Sequence, residues 1–109
     1  MVVAVLLCLG LAACTGTIQR GALMRATGRL QESDYAGALA IVRDGIEQGE
    51  SSAEALDESH LVEAEALMGL GRRDEAIGVY QTLVKSRPQG AAAYQARARL
   101  VELGQPCAP

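Results

Sequence analysis

An all-α fold is what this sequence predicts, on three observations. Half of its residues are apolar, yet only three are aromatic, all Tyr, with no Trp or Phe. Only 3 Pro interrupt the 109 residues. Apolar positions recur at three- and four-residue spacings, and no segment alternates apolar with polar as a strand would. A chain of this length holds one small domain. Its 10 Lys+Arg against 13 Asp+Glu give a net charge of −3, without the basic excess that coating nucleic acid requires. One His and three scattered Cys leave little material for a metal cage or a catalytic triad. Gly69 and Gly71 lack the Lys and the preceding strand of a phosphate loop. His60 and Glu63, one turn apart, suit a metal or acid–base pair, but no second His or nearby Cys supports them. The expectation is a protein without catalysis, cofactor or metal.

The amino-terminal stretch reads as a targeting segment. From Met1 to Ile18 there is no charged side chain. The apolar run from Val2 to Ala13 is shorter than the roughly 20 residues a membrane-crossing helix needs. A short apolar run ending in small residues is the pattern of a secretory signal. Leu11-Ala12-Ala13-Cys14 resembles the lipobox of bacterial lipoproteins, although nothing basic precedes Arg20. That resemblance implies cleavage after residue 13, lipidation of Cys14, and a short tether over residues 14–18. It also implies anchoring in the bilayer through acyl chains, each buried CH₂ contributing about 0.8 kcal/mol. Thr15, in place of an Asp after the Cys, implies the outer membrane, facing the periplasm, in a Gram-negative source. The alternative is a buried amino-terminal helix with Cys14 an ordinary core thiol. Cys107, in the 105–109 tail, is either a free thiol or a link to another chain.

Five helices follow. Ile18, Ala22, Leu23, Ala26 and Leu30 form one stripe, ended by Ser33-Asp34, which can cap the next helix. Tyr35, Ala38, Leu39, Val42 and Ile46 form a second stripe, stopped by Gly49. Ser51-Ser52-Ala53-Glu54 reads as a capping box opening a third helix, with Leu56, Leu61, Ala64, Leu67 and Met68 apolar and Gly69-Leu70-Gly71 as its stop. A fourth runs from Asp74 to Lys85, with Ala76, Ile77, Tyr80, Leu83 and Val84 apolar, and Pro88 closes it. The fifth, Ala91 to Leu103, sets Tyr94, Ala98 and Val101 on one face. Connections this short imply antiparallel neighbours.

The segment from Gly71 to Tyr80, ending at Pro88, resembles the second half of a tetratricopeptide repeat. In that family a Gly turns the chain, a small Ala lets paired helices approach, an aromatic fills the groove and a Pro ends the unit. Those roles fall to Gly71, Ala76, Tyr80 and Pro88, with Ala64 and Leu67 upstream. Asp34 to Leu39 is a weaker copy, in which Ala38 matches Ala76. It lies one helical turn farther away than the family period, absorbed near residues 49–58. The sequence departs from the family at Ser33 (for Gly), His60 (for Trp), Glu63 (for Leu) and Leu83 (for Ala). Tyr94 and Ala98 fall in register and suggest a terminal capping helix. The resemblance covers residues 19–104. It implies a short right-handed superhelix of about two and a half hairpins.

In this family the first helix of each pair faces a concave groove. Carried across, the pattern puts Arg20, Leu23, Thr27, Leu30 and Gln31 there, then Glu58, Leu61, Glu65, Met68 and Gly69, then Ala92, Gln95, Arg99, Glu102 and Leu103. An apolar stripe with charged edges suits a peptide or helix laid in a groove. Plain helix packing is the other reading for Leu61 and Met68. Asp44 to Glu65 holds eight acids and no base, and Arg72 to Pro109 holds six bases and three acids. That asymmetry suits steering a basic partner or head-to-tail stacking into a homo-oligomer, and equally a plain solvated surface. The expected function is a membrane-anchored adaptor that binds a protein or peptide at the cell envelope. The alternative is a structural subunit acting through self-association or docking. No nucleic acid is expected as a partner.

Overall fold

The structure is a computed structural model and describes residues 21–49 and 52–105. The expected signal segment, Cys14 with its expected tether, and Cys107 lie outside the described residues. Within them the chain forms five helices and no strand. We label them α1 (residues 21–31), α2 (Tyr35–Gln48), α3 (Ala53–Gly69), α4 (Arg73–Ser86) and α5 (Ala91–Glu102). The helices pack as hairpins in sequence order: α2 on α3, α3 on α4, α4 on α5, with α3 also touching α5. This is the packing of a short tetratricopeptide-like helical repeat.

The turns show the repetition most clearly. After α1, Ser33 donates to Leu30 O and Asp34 to Arg29 O. After α3, Gly71 donates to Met68 O and Arg72 to Leu67 O. After α5, Gly104 donates to Val101 O and Gln105 to Leu100 O. Each turn thus has one residue in the left-handed region, where its amide and the next one close the helix's last carbonyls. Gly71 (φ 76°) and Gly104 (φ 73°) hold that conformation without steric cost. Ser33 holds it at φ 60°, so this departure from the family changes the residue and keeps the turn.

Helix starts follow local chemistry. Asp34 caps α2 by accepting from Gly37 N at 3.0 Å. Ser52 caps α3 by accepting from Ala55 N at 3.1 Å. The cap is therefore one residue later than a Ser51/Glu54 capping box requires. The carboxylate of Glu54 meets the Arg87 guanidinium at 2.9 Å instead. That ion pair ties the start of α3 to the end of α4.

The core is built of small side chains. Ala38, Ala64, Ala66, Ala76 and Ala96 are fully buried beside Leu67 and Tyr80. α3 is covered on both sides, which places even Ser59 and Asp57 in the interior. On α5 the buried positions are Ala92, Ala93, Ala96 and Leu100. Tyr94, Ala98 and Val101 do share one face, but that face is turned to solvent, with Tyr94 75% and Val101 59% exposed. Their expected packing role is corrected on this point: no described helix follows α5 to cover them. Pro88 is likewise exposed, at the turn between α4 and α5.

Two predictions follow from this packing. Ala76→Leu is expected to cost about 1–3 kcal/mol by overpacking. That is a fall of roughly 4–8 °C in thermal midpoint per kcal/mol for a domain of this size. An unchanged midpoint would refute close packing at Ala76. The two helical glycines Gly69 and Gly78 should respond oppositely to Ala. A Cβ on Gly69 would land on the Tyr35 ring, whereas one on Gly78 meets nothing within 4 Å. Gly78→Ala should therefore stabilise by about 0.5–1 kcal/mol while Gly69→Ala destabilises, as urea titrations of the two variants would show.

Candidate functional site

α1, α3 and α5, the first helices of successive pairs, contribute side chains to one side of the stack. Leu23, Thr27 and Leu30 from α1 meet Glu58, Leu61, Val62 and Glu65 from α3 and Gln95 from α5 around a hollow of about 330 Å³. A second hollow of about 160 Å³ continues it, lined by Glu65, Met68, Tyr80, Arg99, Glu102 and Leu103. Glu65 belongs to both. Of the fifteen residues expected at a groove, eleven line these two adjoining hollows; Gln31 and Gly69 do not, Ala92 is buried, and Arg20 lies outside the described residues. Leu30, Leu61 and Met68 are half-buried against the core, so they both pack and offer apolar surface.

A polar network fixes the centre of this row. Tyr80, fully buried as a residue, sends its hydroxyl to Glu65 Oε1 at 2.8 Å. Arg99 donates to the same oxygen at 2.8 Å and to Glu102 at 3.0 Å. Burial pushes the Tyr80 hydroxyl well above the usual tyrosine range, and the bond to Glu65 adds to this. Tyr80 is thus a proton donor throughout the physiological range and holds Glu65 as an acceptor. The repeat register singles out Tyr80 as a packing residue only. Its hydroxyl and Val62 are the additions the structure makes to the site.

A larger cleft of about 660 Å³ lies along α3 and α4, with Arg43 of α2 at its edge. Leu56, Leu67, Val79 and Leu83 supply apolar lining, and His60 and Glu63 stand along it. Three of the four departures from the family pattern, His60, Glu63 and Leu83, are gathered here. Both ends are closed by ion pairs between helices. Arg43 of α2 reaches Glu63 at 3.3 Å and Glu75 at 3.8 Å. Arg87 reaches Glu54 at 2.9 Å and Asp57 at 3.4 Å. His60 Nδ1 lies 3.5 Å from Glu63. Among the described residues no group of three or more His, Cys, Asp or Glu is placed to hold a metal ion. Nor is any helix there long and apolar enough to cross a membrane.

Glu63 gives this cleft a pH signature. Hydrogen bonding to His60, then the Arg43 guanidinium, lowers its carboxyl below the ordinary value of 4.5, against the opposing effect of burial. A carboxyl lowered by folding stabilises fully above its unfolded value and loses that contribution as pH falls through the folded one. Glu63→Gln should therefore destabilise the protein at pH 7, with the gap to the wild type narrowing well below pH 4.5. Urea midpoints for both proteins at pH 7 and about pH 3 measure this. A gap of equal size at both would refute the ionic role of Glu63. In comparisons with known proteins, no family model matches the chain, and neither does a curated protein or a solved structure.

Proposed function

We propose that this protein is a tetratricopeptide-like adaptor, without catalysis, that binds a peptide or helix of a partner protein along α1, α3 and α5. The observation that carries the reading is the pair of adjoining hollows across those helices. Leu23, Leu30, Leu61 and Met68 offer apolar contacts in a row. Glu58, Glu65 and Glu102 against the single base Arg99 leave the row acidic. An apolar track with acidic edges suits an amphipathic partner that carries basic residues, and such charge speeds encounter. The polar groups of the network are bonded to one another and presented in fixed positions, so a guest meets an ordered surface. Recognition of this kind needs no proton transfer or nucleophile.

Lipid anchoring through Cys14 at the cell envelope completes the proposal, on the strength of Leu11-Ala12-Ala13-Cys14. Two measurements test the two halves separately. Photo-crosslinking residues placed at Leu61 and Met68 of the full chain in its native host are expected to trap one discrete partner. The same probe at Gln81, exposed on α4, is the control. Adducts at Gln81 alone would overturn the groove reading. Leu61→Asp should abolish the adduct formed at Met68 and, from a half-buried position, shift the thermal midpoint only modestly. Labelled palmitate should enter the wild type and not Cys14→Ser. Equal labelling of both would overturn the anchor and leave the groove untouched.

A further inference from the structure

The outer side of α5 is the one helix face that the stack's own repetition shows to be uncovered. α3 lies between α2 and α4 and is covered on both sides: Ser59 is 1% exposed, and Ala64, Ala66 and Leu67 are fully buried. In repeat register these positions correspond to Ala93, Ala98, Leu100 and Val101 of α5. Ala93 and Leu100, on the side of α4, are buried, at 1% and 3%. Ala98 is exposed, Val101 is 59% exposed, and Tyr94, in the register of His60, is 75% exposed. α5 also leaves through the same left-handed turn, at Gly104, that leads α3 into α4. By register and by exit turn, α5 is a first helix of a pair, and its second helix is absent from the described residues.

The covered pair shows what shape such an occupant has. α4 lies on α3 as an amphipathic helix, with Ala76 and Tyr80 fully buried. Ala98 keeps the crossing point on α5 as small as Ala64 keeps it on α3, so a helix can approach equally closely. Tyr94 and Arg97 beside it are residue types that dominate binding energy at interfaces.

Charge decides the occupant's chemistry. α3 faces its neighbours with carboxylates, among them Glu63 and Glu65, and Arg43, Tyr80 and Arg99 meet them. In register, α5 has Arg97 in place of Glu63 and Arg99 in place of Glu65. The sign of the flank is reversed. Arg99 is already held by Glu65 and Glu102. Arg97 donates to the carbonyl of Pro88 and has no carboxylate partner among the described residues. A basic flank disfavours a second copy of α5. In a symmetric pair crossing at Ala98, the Arg97 and Arg99 of one helix would meet those of the other, and like charges destabilise. On α4, by contrast, Glu75 stands near Glu63 only because Arg43 bridges the two, at 3.8 and 3.3 Å. An acid in that place on a helix seated on α5 would face Arg97 directly.

We propose that the face of α5 formed by Tyr94, Ala98 and Val101, with Arg97 at its edge, docks an acidic amphipathic helix of a partner protein. That helix sits on α5 as α4 sits on α3. The surface is distinct from the α1–α3–α5 hollows, and the two bind different guests.

The probe is a labelled peptide spanning residues 74–84 of this chain, which carries Asp74, Glu75, Ala76 and Tyr80 and no base. It is titrated into the full chain and read by fluorescence anisotropy. Its control carries Glu75→Lys. The native-sequence peptide is expected to bind more tightly than the control by about tenfold, the equivalent of about 1.4 kcal/mol. Arg97→Glu in the full chain should reverse that preference, since it restores an opposite pair with the Lys peptide. Tyr94→Ala should weaken both peptides at least about tenfold without moving the thermal midpoint, because the side chain it removes is exposed. Absence of binding, binding indifferent to Arg97, or binding undiminished by Tyr94→Ala would overturn the proposal. Sedimentation velocity supplies one further outcome. A dimer of the full chain that Tyr94→Ala dissolves would make a second copy the occupant and overturn the acidic helix.

Discussion

Close approach between helices is the constraint on which this structure depends. With no Trp or Phe, the chain cannot fill wide gaps between helices. It brings them together instead, through Ala38, Ala64, Ala66, Ala76 and Ala96, all fully buried. Alanine buries little apolar area, so each contact contributes modestly, and stability accumulates by repeating the contact along the stack. The same constraint explains Gly69, whose missing Cβ makes room for the Tyr35 ring. It also explains why Tyr80, the largest fully buried side chain among the described residues, keeps its hydroxyl at the edge, bonded to Glu65.

Much of the fold is legible in the sequence because it is written locally. Caps and turns depend on a few adjacent residues, and the stripes of α2 and α4 are amphipathic with one covered face each. Ser59, Asp57 and Ala66 are a different case. α3 is covered from two directions, so its buried positions go almost all round and no single stripe marks them. α5 misleads for the opposite reason. Its most conspicuous apolar residues, Tyr94 and Val101, point outward, and the quieter alanines 92, 93 and 96 carry the packing. Periodicity shows that a face exists; which face is covered depends on the number of neighbours, and that is a property of the stack. The ion pair of Glu54 with Arg87 has a similar origin, since its partner comes from another helix.

The candidate site was legible to the extent that it follows repeat register. Leu23, Leu61, Gln95 and their companions are placed by counting along helices, and the hollows gather them. The Tyr80–Glu65–Arg99 network is not accessible to counting, because three helices supply it. The large cleft along α3 and α4 occupies an intermediate position. Its polar residues His60 and Glu63 stand out as departures from a pattern, but only the geometry shows that they line one space and that Arg43 ties both walls across it.

Ser33 carries a consequence for how the molecule comes apart. A side chain held at φ 60° stores strain of order 1 kcal/mol that Gly71 and Gly104 do not. The helix it terminates, α1, has Ala26 as its only fully buried residue among those described, and Gly28 within its span. By buried side chains α1 is the least anchored of the described helices. Because α1 forms one wall of the hollows, a guest spanning them would also hold that helix down. Occupancy and the hold on α1 are in this way linked beside the turn that Ser33 makes.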